Sequence, residues 1–317
     1  MSYLHQLVRI DFGKGKETAI LIFIGRLFLL LVLLLGFVLI GAPLQRLARA
    51  RNWKIASWIP VWFCRSLASA LQIRVHIHGL QSSLRPQLVV ANHVSWTDIL
   101  VLGSRKAQGF LAKKEVGNWP LFGMLARLQG TVFVDRQWRR GIPGTNQLMA
   151  ASMLAGNTVV LFAEATTSDG TRIKHFHSSH FAAARDLLAL DPGLERVWVQ
   201  PVAIRYGRRD GLTLGRAGRA DLAWYGSMTL LPHVLALLAS GPVDCDMYFV
   251  PPLPFERGLD RKLMARRCED VTRLALAGRL APSAMRETVP ATVPVLLQSK
   301  TAYGVRVCEA PLEKMLA

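Results

Sequence analysis

From Leu27 to Ile40 the chain carries no polar or charged side chain, and the apolar stretch runs from Ala19 to Ala42 with Arg26 as its interruption. That length is near the ~17–25 residues a helix needs to cross a bilayer. Basic residues flank it on both sides: Arg9, Lys14 and Lys16 before, then Arg46, Arg49, Arg51 and Lys54 after. The positive-inside rule therefore gives no vote for spanning. A second apolar-aromatic segment follows, with Trp53, Trp58, Trp62 and Phe63 around Pro60. Tryptophan suits the headgroup layer, where one edge of the ring is wet and the rest is greasy. The expectation is a membrane-anchoring helical region over residues 1–70. Its preferred form is a helical pair dipped into one leaflet with both ends cytosolic. A single spanning helix is the alternative, and a buried core helix the bland reading.

Charge sharpens this. The formal net charge is +18 over 317 residues while hydrophobic residues make up 51%, and mean hydropathy is +0.26. A soluble nucleic-acid binder is basic but less greasy, so nucleic acid is not an expected partner. A basic protein resting on anionic lipid satisfies both numbers, and the surplus also suits a phosphorylated substrate or an acidic carrier. The four cysteines, Cys64, Cys245, Cys268 and Cys308, show neither metal-ligand spacing nor a disulfide framework. They read as reduced and buried, which favours a cytosolic active domain.

Over residues 71–282 the pattern becomes α/β. Arg74 to His78 alternates as a half-exposed strand does, and Leu88 to Ala91 is a short apolar run, as in a strand covered on both faces. Further buried strands are expected at Thr131–Val134, Thr158–Phe162, Val202–Tyr206 and Met247–Val250. Helices are expected from Asn118 to Gly130, near Gln147–Leu154, Phe181–Leu190, Leu230–Ala239 and Arg261–Leu280. Strands alternating with helices argue for a mostly parallel central sheet flanked by helices. Residues 283–317, with Pro290, Pro294 and Pro311 and little periodicity, read as a poorly ordered tail.

The chemistry concentrates where a strand meets a helix, in Asn92-His93-Val94-Ser95-Trp96-Thr97-Asp98. Ser95 followed three residues later by Asp98 is a capping-box-like pattern, which explains both residues without any function. It does not explain His93, which stands where open α/β sheets bind ligands, outside the carboxyl end of a strand. Across a tight turn Asp98 can reach one imidazole nitrogen, fix the tautomer and leave the other nitrogen as a base. Such a base can deprotonate a hydroxyl poised to attack a thioester carbonyl.

These residues resemble the first signature of the glycerolipid acyltransferase family, NHxSxxD, matched by Asn92, His93, Ser95 and Asp98. The second, GxxFxxR, is matched by Gly130, Phe133 and Arg136. The third, FPEGTR, is met by Phe162, Glu164 and Thr166, with Ala163, Ala165 and Thr167 departing from it. The fourth, an apolar strand led by a proline, corresponds to Pro201-Val202-Ala203-Ile204. The resemblance covers about residues 70–255. It implies acyl transfer from acyl-CoA or acyl-carrier protein to the free hydroxyl of a lysolipid, with no metal or other cofactor. It implies His93 as general base, Asp98 as its orienting partner, Arg136 on an acceptor phosphate, Glu164 on the polar head and Pro201 at the acyl-donor pocket. It also implies a bacterial inner membrane, with the active domain facing the cytoplasm. The acceptor expected first is 1-acyl-sn-glycerol-3-phosphate, giving phosphatidic acid in phospholipid biosynthesis, since Arg136 is present and the chain is strongly basic; a lyso-ornithine lipid acceptor, or a non-catalytic membrane-binding relative, is the alternative. Ser168-Asp169-Gly170 and Trp224-Tyr225-Gly226 look instead like a branch that acylates lyso-ornithine lipid. An amino-acid headgroup needs less phosphate grip, in keeping with the missing arginine at Thr167.

Beside that reading, Arg136 is also explained as a solvated strand-end charge and Glu164 as a loop acid or helix cap. His175, His177 and His180 match no zinc frame. His76 and His78 fall on one face of a strand and read as structural or solvated. The chain contains no GxSxG elbow, Walker loop or GxGxxG. The basic run Arg208, Arg209, Arg216 and Arg219 reads as solvated or membrane-facing surface, with carrier-protein or coenzyme A contact as the sharper option.

Overall fold

The computed structural model describes residues 16–118, 120–134 and 141–280. Arg136 and the expected tail at 283–317, Cys308 included, lie outside the described residues. The chain opens with α1 (Lys16–Gly36) and α2 (Ala42–Ala50), joined by a π-helical turn at Phe37–Gly41. Together they make one continuous apolar helix over Glu17–Ala50. At 34 residues it is ~50 Å long. α3 (Ile59–Ala70) follows, with Pro60 in its first turn, where a missing N–H costs nothing.

The α/β region begins with β1 (Ile73–His78), β2 (Gln87–Ala91), α4 (Thr97–Gly103), β3 (Gly109–Lys113) and α5 (Lys114–Gly117). Next come α6 (Pro120–Gln129), β4 (Val132–Val134), α7 (Ile142–Leu154), β5 (Val159–Phe162) and α8 (Ala182–Leu190). The rest comprises β6 (Arg196–Arg209), β7 (Leu212–Thr213), α9 (Arg216–Leu222), α10 (Leu230–Ala239), β8 (Val243–Phe249), β9 (Leu253–Glu256) and α11 (Arg261–Leu276).

The strands lie in the order β1-β8-β6-β2-β5-β3-β4, with β7 and β9 pairing β6 off that path. β6, β2, β5, β3 and β4 are mutually parallel. β8 runs antiparallel to β6 and carries β1 parallel to itself. The sheet is thus mostly parallel, as expected, and Met247–Val250 belongs to its reversed flank. Thr131–Val134 differs from the expected buried strand: β4 is the sheet's last strand and is largely half-buried. β3 and β9 are strands the sequence pattern does not mark.

Alternation along the central strands builds two cores. Val89, Ala91, Val160, Phe162, Val202 and Ile204 face α3, α4 and α10. Leu88, Val90, Val159, Leu161, Val197 and Val199 face α7, α8 and α11. A strand buried on both faces has no polar side to show, hence the unbroken apolar run in β2.

The first helix belongs partly to this body. Phe23, Leu27, Leu30, Leu33 and Leu34 pack on the first core, and Arg26 Nη1 donates to Leu238 O at 2.9 Å and Ser240 O at 2.7 Å. Those carbonyls sit at the C-terminal end of α10, which a cation satisfies well. The opposite side, including Leu21, Ile24, Phe28, Leu31, Leu35, Leu39 and Ile40, is exposed, as are Trp53, Trp58 and Trp62 beyond it. Cys64, Cys245 and Cys268 are free and buried.

Candidate active site

Parallel pairing sets the C-terminal ends of β2, β5, β3 and β4 on one edge of the sheet, and the catalytic candidates gather there. β2 ends at Ala91, and Asn92 turns the chain. Its side chain accepts from Ile204 N at 2.7 Å and donates to Ile204 O at 3.0 Å, fastening the turn to β6.

His93 Nδ1 lies 2.8 Å from Asp98 Oδ2. That oxygen also accepts the backbone N–H of Val94 at 2.7 Å and of Ser95 at 3.0 Å. The other oxygen accepts the Tyr206 hydroxyl at 2.8 Å. A carboxylate receiving so many donors acts as acceptor, so Nδ1 carries the proton toward it and Nε2 is left with its lone pair. Nε2 has no hydrogen-bond partner among the described residues. The imidazole stacks on Phe162, centroids 3.9 Å apart, and its side chain keeps 13% exposure while Asp98 has none. The capping box is half made. Asp98 reaches back to Ser95 N, but Ser95 Oγ is buried without a partner among the described residues.

Tyr206 is the residue sequence reasoning missed. It comes from β6, is fully buried, and also bonds Thr97 Oγ1 at 2.7 Å. Burial and the neighbouring Asp98 push its hydroxyl well above the usual phenol range, so it stays a proton donor. An expected strand ending at a tyrosine was the available signal.

Glu164 follows β5 and is buried. Its oxygens accept His93 N at 2.9 Å and Lys174 N at 3.1 Å. Burial outweighs these donors and raises the carboxyl to about 7, with Asp98 adding to the rise. The geometry thus has Glu164 holding the backbone of His93 and of the loop over the site. Ala165 adopts φ 56°, so the left-handed turn for which the family pattern supplies glycine persists with a side chain, at ~1–2 kcal/mol. Thr166, beside it, is exposed.

Gly130 ends α6 at φ 84°. Phe133 sits in β4 under the Arg127 guanidinium, 5.4 Å from ring centroid to carbon. β4 is three strands from β2, or ~14 Å, so the structure gathers Gly130 and Phe133 on the sheet's flank rather than against His93. Pro201 lies within β6 opposite Val90. There β6 exchanges β9 (last pair Val199–Leu253) for β8 (first pair Val202–Phe249). A residue without an N–H fits that gap in the ladder. The histidines at 175 and 180 take separate partners, Glu269 and Asn146, and no metal-binding group of three is found among the described residues.

A family model described as Acyltransferase matches residues 72–205. The lyso-ornithine lipid O-acyltransferase of Brucella abortus is 38% identical over 265 residues, covering 82% of this chain and 98% of the relative. The chain belongs to the glycerolipid acyltransferase family. It is an acyltransferase enzyme. A Rhizobium meliloti protein of the same name is also 38% identical, over 82% of this chain and 90% of that one. The 1-acyl-sn-glycerol-3-phosphate acyltransferase of Neisseria meningitidis is 34% identical over half of the chain and 59% of its own length. The crystal structure of the Thermotoga maritima 1-acyl-sn-glycerophosphate acyltransferase shares the fold, with a TM-score of 0.57 at 20% identity, over 83% of this chain and 96% of that one.

Proposed function

We propose that this acyltransferase acylates the free hydroxyl of a lysolipid, with acyl-CoA or acyl-carrier protein as donor and His93 as general base. The observation that carries the reading is the His93–Asp98 contact at the sheet edge, with Nε2 open. Nε2 takes the proton of the acceptor hydroxyl as that oxygen attacks the thioester carbonyl. The tetrahedral intermediate then collapses, the C–S bond breaks, and the departing thiolate recovers the proton from the imidazolium. Asp98 holds the tautomer and stabilises the transient cation. In this reading Thr166 borders the acceptor site, Pro201 shapes the donor side, and Arg136 offers a cation to the acceptor.

Between acceptors, relatives spanning over four-fifths of the chain bear the name lyso-ornithine lipid O-acyltransferase. The two Neisseria relatives named for 1-acyl-sn-glycerol-3-phosphate match half of it or less in sequence, and the Thermotoga maritima enzyme, at 20% identity, shares the fold alone. Thr167, in place of arginine, fits an acceptor with a weaker need for phosphate contacts. Lyso-ornithine lipid is therefore the favoured acceptor, and 1-acyl-sn-glycerol-3-phosphate, giving phosphatidic acid, the second. The exposed greasy face of the first helix supports membrane association. Because its other face packs on the core from Phe23 to Leu34, lipid cannot surround it there. This favours a helix lying in the inner leaflet of a bacterial cytoplasmic membrane, active domain toward the cytoplasm.

The test is a screen with radiolabelled acyl donor against lyso-ornithine lipid and lysophosphatidic acid. The native protein should label lyso-ornithine lipid preferentially, and His93→Ala should lose at least ~10²-fold in rate. Label on neither lipid, or an active His93→Ala protein, would sink the reading.

A further inference from the structure

Behind the catalytic turn lies a cavity of about 320 Å³ that the chemistry above does not use. Asn92 and Val94 line it, and His93 between them does not. Its remaining wall comes from the Ser168–Ile173 loop, β6, Arg219 of α9 and the end of α11. Four guanidiniums converge there. Arg205 is paired with Asp246 at 3.3 Å and Arg273 with Glu269 at 2.7 Å, so their charge is met. Arg172 and Arg219 have no carboxylate within ion-pair distance among the described residues. The nearest loop acid, Asp169, is engaged by Thr171 N and Oγ1. Arg219 Nε is buried without a partner among the described residues, and an unmet buried donor costs ~1–3 kcal/mol. A bound oxyanion would satisfy it.

Size and position select the anion. The volume is at the lower end of the ~300–1,000 Å³ of small-molecule sites, with room for a phosphate and the groups next to it. An acceptor's headgroup lies a few bonds from its reacting hydroxyl and has to share the space that holds the imidazole. This cavity runs from Val94, Ile204 and Tyr206, beside the turn, to Arg273 and Leu276 of α11, away from the Phe162–His93 stack. A phosphate at the end of a long flexible arm can sit behind the turn while its thioester reaches the base. We infer that Arg172 and Arg219 grip the phosphate of the donor's phosphopantetheine arm, which acyl-CoA and acyl-carrier protein share. Parallel guanidinium donors fit such a group. Ser168 ties the site to the chemistry, since its N–H and hydroxyl donate to His93 O at 2.8 and 3.2 Å. The inference rests on the thioester-donor reading of the preceding section.

The experiment compares Arg172→Gln, Arg219→Gln and the double variant, in the full-length protein, with three donors: acyl-CoA, acyl-carrier protein, and the acyl thioester of N-acetylcysteamine, which has no phosphate. The double variant should raise KM for acyl-CoA and acyl-carrier protein about tenfold or more, leave KM for the lysolipid unchanged, and match the native protein on the phosphate-free thioester. An equal loss on the phosphate-free donor, a rise confined to the lysolipid, or unchanged donor constants would each overturn it. Failure of the general-base role leaves this comparison intact, because His93→Ala reads turnover rather than donor affinity.

Discussion

Two kinds of histidine–aspartate pair stand in this molecule, and distance does not separate them. His93 and Asp98 are 2.8 Å apart; across the β1–β8 edge, His76–Asp244 and His78–Asp246 are 2.7 and 2.9 Å apart. What separates them is the company of the carboxylate. Asp244 and Asp246 also meet Arg208 and Arg205, so guanidinium neutralises them, and their imidazoles are 42% and 39% exposed. These contacts hold both carboxyls below the usual range, His76 being the main cause for Asp244, while for Asp246 they outweigh burial. Among the described residues Asp98 meets only neutral donors besides its histidine, so its charge falls on the imidazole. The difference between the pairs is thus the guanidinium beside the edge carboxylates, which the buried pair lacks among the described residues.

The sharpest break of that contrast is Asp98→Asn against Asp244→Asn. The first should cost ~10²–10⁴-fold in kcat through the wrong tautomer, the second less than about threefold, both by steady-state assay. Equal losses would mean that the edge pairs matter as much as the buried one. Next is Tyr206→Phe, which removes the donor to Asp98 Oδ1 and keeps the ring. Roughly a tenfold fall in kcat is expected, since hydrogen bonds to charged groups contribute ~1.5–3 kcal/mol, with little change in either KM. The last effect concerns stability rather than rate. Glu164 sits at about 7 when folded against an ordinary 4.5, so between those values the folded chain holds the proton more tightly than the unfolded one. Stability from the neutral form is complete below pH 4.5 and declines as pH rises to about 7, by ~3 kcal/mol. Thermal melts in detergent from pH 4.5 to 8 should show this decline in the native protein and its loss in Glu164→Gln. Parallel curves would reject the role of burial.

The contrast also explains what was legible in the sequence. The His93–Asp98 contact is local, made across one turn, and the buried strands β2 and β5 announce themselves as apolar runs. Tyr206 lies far along the chain and meets Asp98 only because β6 pairs with β2, a register no local pattern encodes. Glu164 shows the limit from the other side. A carboxylate just after a strand reads as facing substrate, yet its oxygens turn inward to two backbone N–H groups. β9 was hidden by Pro254 and by its brevity, and β3 by its opening glycine. The parallel core was readable because burial on both faces writes itself into composition; the reversed flank was not, since strand direction leaves no mark on a short apolar run.

Arg26 carries a consequence for anyone wishing to trim the greasy N-terminus. Its guanidinium closes off the carbonyls ending α10, and His233 of that helix accepts from Trp96 Nε1 at 3.0 Å, three residues along from His93. Cutting the chain after residue 40 would unroof Leu238, strip a wall from the core and loosen the support of Trp96. The first helix is a structural member of the enzyme, and a body without it would be damaged rather than liberated.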